Sequence, residues 1–160
     1  MTVGITGHQN IPRRAADVLP TMILQFLEQQ PAPITCVTSL AEGADQLCAA
    51  LVLKRGGSLH AVVPCAQYEK SFASARAAKR FQALVAESAS VETLPFPEPS
   101  EAAFLAAGRR VVDLSDLLIA VWDGGPARGT GGTSDIVAYA RRRNVRVSVI
   151  WPPGLSRTPG

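Results

Sequence analysis

The chain has 160 residues, 47% of them hydrophobic and 18% charged, with a formal net charge of +3. That composition argues against disorder and predicts one folded domain over residues 1–151, with a proline- and glycine-rich tail at 152–160 that is expected to be mobile. Cys36, Cys48 and Cys65 are odd in number and lack C-x-x-C spacing, no signal peptide opens the chain, and no run approaches the roughly 20 apolar residues of a membrane span, so a cytoplasmic setting without disulfides, membrane contact or a metal is expected.

Residues 2–6 read as a first strand, stopped by Gly7. Pro12 is placed to open a helix in which Leu19, Ile23, Phe26 and Leu27 recur at helical spacing despite Pro20. Pro31-Ala32-Pro33 ends it. Residues 34–38 read as a second strand and 43–55 as a helix that turns Leu47, Leu51 and Val52 inward and is stopped by Gly56-Gly57. Residues 59–63 form a third strand, 69–87 a helix with a break, and 91–94 a short strand. Ser100 is placed to cap a helix running from 101 to about 112. The apolar run 117–122 is the clearest strand, 136–143 a helix, and 145–151 the last strand. His60, inside the third strand, reads as structural.

Strands alternating with helices predict an α/β fold of three layers, Rossmann-like, with a mostly parallel sheet flanked by helices on both faces. Ligands of such sheets bind outside the carboxyl ends of the strands. Here those ends carry Thr6-Gly7-His8, Thr38-Ser39, Pro64-Cys65 and Trp122-Asp123. Between the clearest strand and its helix lies Arg128-Gly129-Thr130-Gly131-Gly132-Thr133-Ser134-Asp135. Small residues let a ligand approach the backbone, and free amides at a helix start favour an anion, most often a phosphate. The other reading of this turn is a tight connection with a threonine cap. No lysine follows the glycines, which excludes an NTPase P-loop, and no third glycine completes G-x-G-x-x-G.

Several residues carry two readings. Gly7 admits a ligand to the first strand, and His8 either touches it or is a turn residue. Thr38 and Ser39 are hydroxyls at a strand end, read as ligand contacts. Glu42 and Asp45 complement a helix start or bind a ribose or base. Tyr68 and Phe72, four apart, are core residues unless a base stacks on Tyr68. Arg128 either grips a phosphate by its planar fork or is a solvated loop residue. Asp123 is a site acid or a turn former, and Asp135 either complements the helix dipole or bonds a ribose hydroxyl.

Three segments together resemble the SLOG superfamily of Rossmann-like nucleotide-binding domains, whose relatives include the DNA-processing proteins and the Lonely Guy phosphoribohydrolases. They are Gly4-Ile5-Thr6-Gly7-His8, then Thr38 through Asp45, similar to the S-G-L-A-R-G-I-D of the DNA-processing proteins, and the strand and glycine turn from Asp116 to Asp135. The resemblance implies binding of a nucleotide or nucleotide-derived ligand, with no further cofactor, and a homodimer or higher oligomer built on helices such as those around Leu19–Leu27 and Ala102–Val112. Cleavage of a nucleoside monophosphate to free base is the alternative, with Glu42, Asp45, Asp123 and Asp135 as candidate catalytic acids. The phosphoribohydrolase glutamate has no match in register: Ile136 stands three beyond Thr133, and Asp135 is one residue out. Single-stranded DNA binding is a further alternative, but Glu42 stands where the DNA-processing pattern has arginine, so DNA is not the expected partner.

Overall fold

The computed structural model of the chain describes residues 1–126 and 132–156. Along the chain β1 (Thr2–Gly7), α1 (Arg13–Glu28), β2 (Thr35–Thr38), α2 (Ala44–Lys54), β3 (Ser58–Val63), α3 (Ala75–Glu87), β4 (Ser90–Thr93), α4 (Glu101–Asp113), β5 (Leu117–Val121), α5 (Thr133–Arg142) and β6 (Arg146–Val149) alternate, with a one-turn 3-10 helix at Tyr68–Ser71. The six strands form a single sheet in the order β4-β3-β2-β1-β5-β6, every described pair parallel. The expected parallel α/β architecture is therefore present.

The alternation of side chains along the strands divides the core. Val3, Ile5, Cys36, Leu59 and Ala61 face α1, α2 and α3, whereas Val37, Val62 and Leu118 face α4 and α5. Leu117 through Val121 are all fully buried, as a central parallel strand covered on both faces requires. Pro20 lies inside α1 and costs about 3 kcal/mol there. Burial of Leu19, Ile23 and Leu27 offsets this at roughly 1.5–3 kcal/mol each, so the helix runs through. These apolar stripes, and the Ala103, Ala107, Val111 stripe of α4, face the chain's own sheet. The two helices offered for oligomerisation thus spend those residues inside the chain.

Helix ends follow local chemistry. The Ser100 and Ser74 hydroxyls accept from the Ala103 and Ala77 amides at 3.0 and 3.1 Å, and the Ser74 cap explains why the expected long helix breaks and restarts. Gly56 adopts φ +81° and closes α2, with its amide donating to Leu53 O at 3.0 Å. After β6 the chain turns back: Pro152 is buried, Trp151 and Leu155 pack on the core, and Trp151 Nε1 donates to Leu155 O at 2.7 Å. The segment expected to trail from Pro152 is therefore packed as far as Leu155.

Strand order sets the position of the site. From β1 the chain steps outward through β2, β3 and β4, then returns across the sheet to place β5 on the other flank of β1. The loops leaving β1 and β5 diverge at this reversal and leave a crevice at the carboxyl ends of the two strands.

Candidate functional site

A cleft of about 510 Å³ opens at that crevice. Its floor is the tip of β1, Gly7 and His8, and one wall is the β2–α2 connection with Ser39, Glu42 and Asp45. Gly132, Thr133 and Ser134, at the amino end of α5, form the opposite wall. Phe72 and Phe104 supply apolar surface, with Tyr68 behind them.

The close fit at the floor explains its small residues. A Cβ on Gly7 would lie 2.5 Å from Ala44 Cβ and 2.8 Å from Val121 O, so strand β1, β5 and the start of α2 meet only because Gly7 has no side chain. Gly43 has φ +90°, and a Cβ there would stand 2.3 Å from Gln9 O and 2.5 Å from His8 O. The Ala44 amide donates to His8 O at 3.0 Å, which ties α2 to the loop after β1.

His8 is only 3% exposed. Its Nε2 lies 3.1 Å from Asp123 Oδ1 and 3.2 Å from the Asp123 amide nitrogen. A protonated Nε2 donates to the carboxylate, whereas a bare Nε2 accepts from the amide. The His8 ring also meets Trp151 edge-on, with centroids 5.3 Å apart. Asp123 Oδ1 accepts from the Gly125 amide at 2.9 Å, the turn chemistry weighed for it above. This arrangement joins the end of β1 to the exits of β5 and β6.

Asp45 lies in the first turn of α2, nearly buried, and accepts from the Ala41 amide at 3.3 Å. Burial pushes its carboxyl up to about 7 from the ordinary 3.8, against the opposing pull of hydrogen bonds from Ala41, Thr38 and Ser39. Desolvation raises the thiols of Cys36 and Cys48 and the phenol of Tyr68, with the charge of the Asp45 carboxylate a lesser cause in each case. Cys65, likewise raised mainly by desolvation, carries no sign of an activated thiolate.

The structure brings together Gly7, His8, Ser39, Glu42, Asp45, Tyr68, Gly132, Thr133 and Ser134 on the cleft. Thr38 is fully buried, and its hydroxyl accepts from the Leu40 amide at 3.0 Å instead of lining the cleft. Asp123 is turned to His8 and Gly125, and Asp135 sits in the first turn of α5 without lining the cleft. Tyr68 is 5% exposed, packed edge-on against Phe72 and Phe81 at 5.1 and 5.3 Å, so its ring face is already covered by aromatic neighbours. Arg128, Gly129, Thr130 and Gly131 lie outside the described residues.

Sequence reasoning missed the contribution of α4. Phe104, Gly108 and Val111 reach the cleft with Ile136 of α5. A Cβ on Gly108 would lie 2.3 Å from Ile136 Cδ1, so this glycine lets the two helices close behind the site. It also missed Gln46, which is 2% exposed and donates to Leu40 O and Ala77 O at 3.2 and 3.1 Å. A buried amide among apolar neighbours in α2 was the available signal.

The amino end of α5 has the features of an anion site. Gly132 precedes it in an extended conformation and has no side chain with which to cap the helix. First-turn amides and the positive end of the helix dipole therefore face the cleft. Among the described residues the lining holds no lysine or arginine, while Glu42 makes the facing wall acidic and Asp45, pushed up to about 7, adds a second carboxyl. Polarity thus separates across the cleft, with amide donors on the α5 side and carboxyl groups on the α2 side.

No protein-family model matches the chain, and comparison with curated proteins finds no relative by sequence. Solved structures share its fold. DNA processing protein A from Helicobacter pylori, described for its single-stranded DNA binding mode, superposes with a TM-score of 0.70 at 18% identity, over 98% of this chain and 68% of that one. DNA processing protein A (DprA) from Streptococcus pneumoniae gives 0.71 at 20% identity, over 96% of this chain but 51% of that one, so the chain spans about half of its length. A molybdenum cofactor binding protein from the phototrophic bacterium Rippkaea orientalis gives 0.57 at 15% identity, over 92% and 74% of the two chains. The chain accordingly shares the Rossmann-like α/β fold of these proteins. Among the described residues no helix is long and apolar enough to cross a membrane.

Proposed function

We propose that the cleft binds a nucleotide or nucleotide-derived ligand, with a phosphate on the amino end of α5 and the base against Phe72 and Phe104. The observation that carries this reading is the α5 terminus, begun by the side-chain-free Gly132, opening onto a cleft of about 510 Å³ at the strand-order reversal. Ser134 and Thr133 add hydroxyl donors beside the amides, and Ser39 and Glu42 stand where a ribose would lie across the cleft. Relative to the sequence-based expectation, the base moves from Tyr68 to its less buried aromatic neighbours.

Gly132→Asp tests this directly. Asp at the position before a helix bonds the first-turn amides with its own carboxylate. The variant keeps α5 intact while occupying the proposed phosphate position. Titration calorimetry with AMP, ADP and ADP-ribose should show at least a tenfold loss of affinity with the melting temperature unchanged or raised. Undiminished affinity would remove the phosphate from α5.

Two further readings have an observation in their favour. A carboxyl that keeps its proton to about pH 7 suits general-acid release of a base, and Asp45 is such a group on the cleft. Nucleoside monophosphates incubated with the protein would then yield free base, and Asp45→Asn would abolish the yield. The fold likeness to a protein described for single-stranded DNA binding weighs against setting DNA aside. That reading predicts affinity for oligonucleotides that falls steeply with salt.

A further inference from the structure

A second cluster of reactive side chains lies away from the cleft, on the α4 face of the sheet near its β4 edge. Strands β3 and β4 pair in parallel with His60 opposite Ser90, and Glu92 follows two residues on, pointing to the same face. Ser90 Oγ is within hydrogen-bond distance of His60 Nδ1, and His60 Nε2 is 3.2 Å from Glu92 Oε2. Arg110 of α4 holds that carboxylate with two bonds, Nε to Oε1 at 2.7 Å and a terminal guanidinium nitrogen to Oε2 at 3.3 Å. None of the four residues lines the cleft.

This chain of bonds fixes the protons. The Arg110 guanidinium, then the His60 hydrogen bond, hold the Glu92 carboxyl below its usual range, so at neutral pH it only accepts. His60 Nε2 must therefore carry the hydrogen. In that tautomer Nδ1 is bare and accepts from the Ser90 hydroxyl. A serine bonded to a general base, which is in turn oriented by a carboxylate, is the arrangement that activates a nucleophile. Ser90 is exposed, and His60 is about one-fifth exposed, so a small substrate reaches both.

We propose that Ser90 and His60, positioned by Glu92 and Arg110, form a nucleophilic site that hydrolyses small carboxylic esters. Ser90 Oγ bonds to the acyl carbon as its proton passes to His60 Nδ1. The alcohol leaves with that proton, and an acyl-serine remains. Water then attacks the same carbon, gives a proton to His60 Nδ1, and the C–Oγ bond breaks as Ser90 recovers it. General-base assistance of this kind is worth about 10²–10⁴ in rate.

The test uses the full chain and a fluorophosphonate probe, with peptide mass spectrometry to read each serine, and p-nitrophenyl acetate to read turnover. Ser90 should label at least about a hundredfold faster than Ser74 and Ser100, whose hydroxyls meet backbone amides and not an imidazole. Ser90→Ala should abolish ester turnover, and His60→Gln should bring Ser90 to the rate of the reference serines. Glu92→Gln should lower the labelling rate of Ser90 without bringing it to that of the reference serines, and Glu92→Asp should recover part of the loss, because the carboxylate orients the ring and does not touch the substrate. Labelling of Ser90 no faster than Ser74 in the unaltered chain, or unchanged in His60→Gln, would overturn the proposal. The first comparison needs no variant and holds even if a substitution unfolds the chain.

Discussion

Replacing Asp45 by asparagine keeps the shape of the side chain and removes its charge, and the structure specifies how stability should respond to pH. In the folded chain burial raises this carboxyl from 3.8 to about 7. Below the ordinary value both folded and unfolded states hold the proton, and the group costs nothing. Between the two values the unfolded chain ionises while the folded chain does not. Stability is therefore fully present at low pH and is lost as pH rises through about 7. At 1.36 kcal/mol for each pH unit the loss reaches about 4 kcal/mol, most of it accumulating between about pH 4 and about pH 7. Asp45→Asn has no proton to lose and should escape this decline. It retains one carbonyl oxygen for the Ala41 amide, so the saving at high pH should exceed the cost of altered bonding. Urea unfolding of both proteins across that range, compared as differences, cancels the remaining titrating groups. Difference values that stay level from about pH 4 to about pH 7 would refute the argument that Asp45 is held neutral by its surroundings.

Two further outcomes follow from backbone fit and from a buried amide. Gly43→Ala must force a Cβ toward Gln9 O and His8 O at a positive φ, and strain with overpacking of this kind costs roughly 2–5 kcal/mol in all; a thermal melt within a degree of the unaltered chain would contradict it. Gln46→Leu preserves volume but leaves Leu40 O without this donor and removes the extra bond to Ala77 O, which the α3 ladder also serves, at roughly 1–3 kcal/mol for the unpaired Leu40 carbonyl, and urea midpoints should fall accordingly.

Much of the scaffold was legible because its signals are local. The run 117–121 is apolar on both faces, which only a central strand tolerates, and the Ser100 and Gly56 helix ends need no knowledge of the rest of the chain. The start of α5 was read three residues late, because Thr133, Ser134 and Asp135 are polar enough to pass for loop while forming a helical first turn. Pairwise placements were harder. Gly7 and Gly43 were visible as small residues near strand ends, but their contact with Val121 and with the His8–Gln9 backbone requires the packed start of α2. Phe104 and Gly108 had no local sign of a role, since α4 reaches the cleft only because the chain recrosses the sheet between β4 and β5. His60 looked structural from within its strand. Its neighbours Ser90 and Glu92 are thirty and thirty-two residues away, and the parallel register that brings them together leaves no mark on β3 alone.

The only two indoles of the chain, Trp122 and Trp151, flank the same opening: the first lines it, and the second sits edge-on to the His8 ring. Intrinsic emission from the unmodified protein is therefore a built-in optical gauge. A guest entering between β1 and β5 will alter the polarity around one fluorophore and the imidazole contact of the other, so candidate molecules can be screened in a cuvette without a dye or a tag.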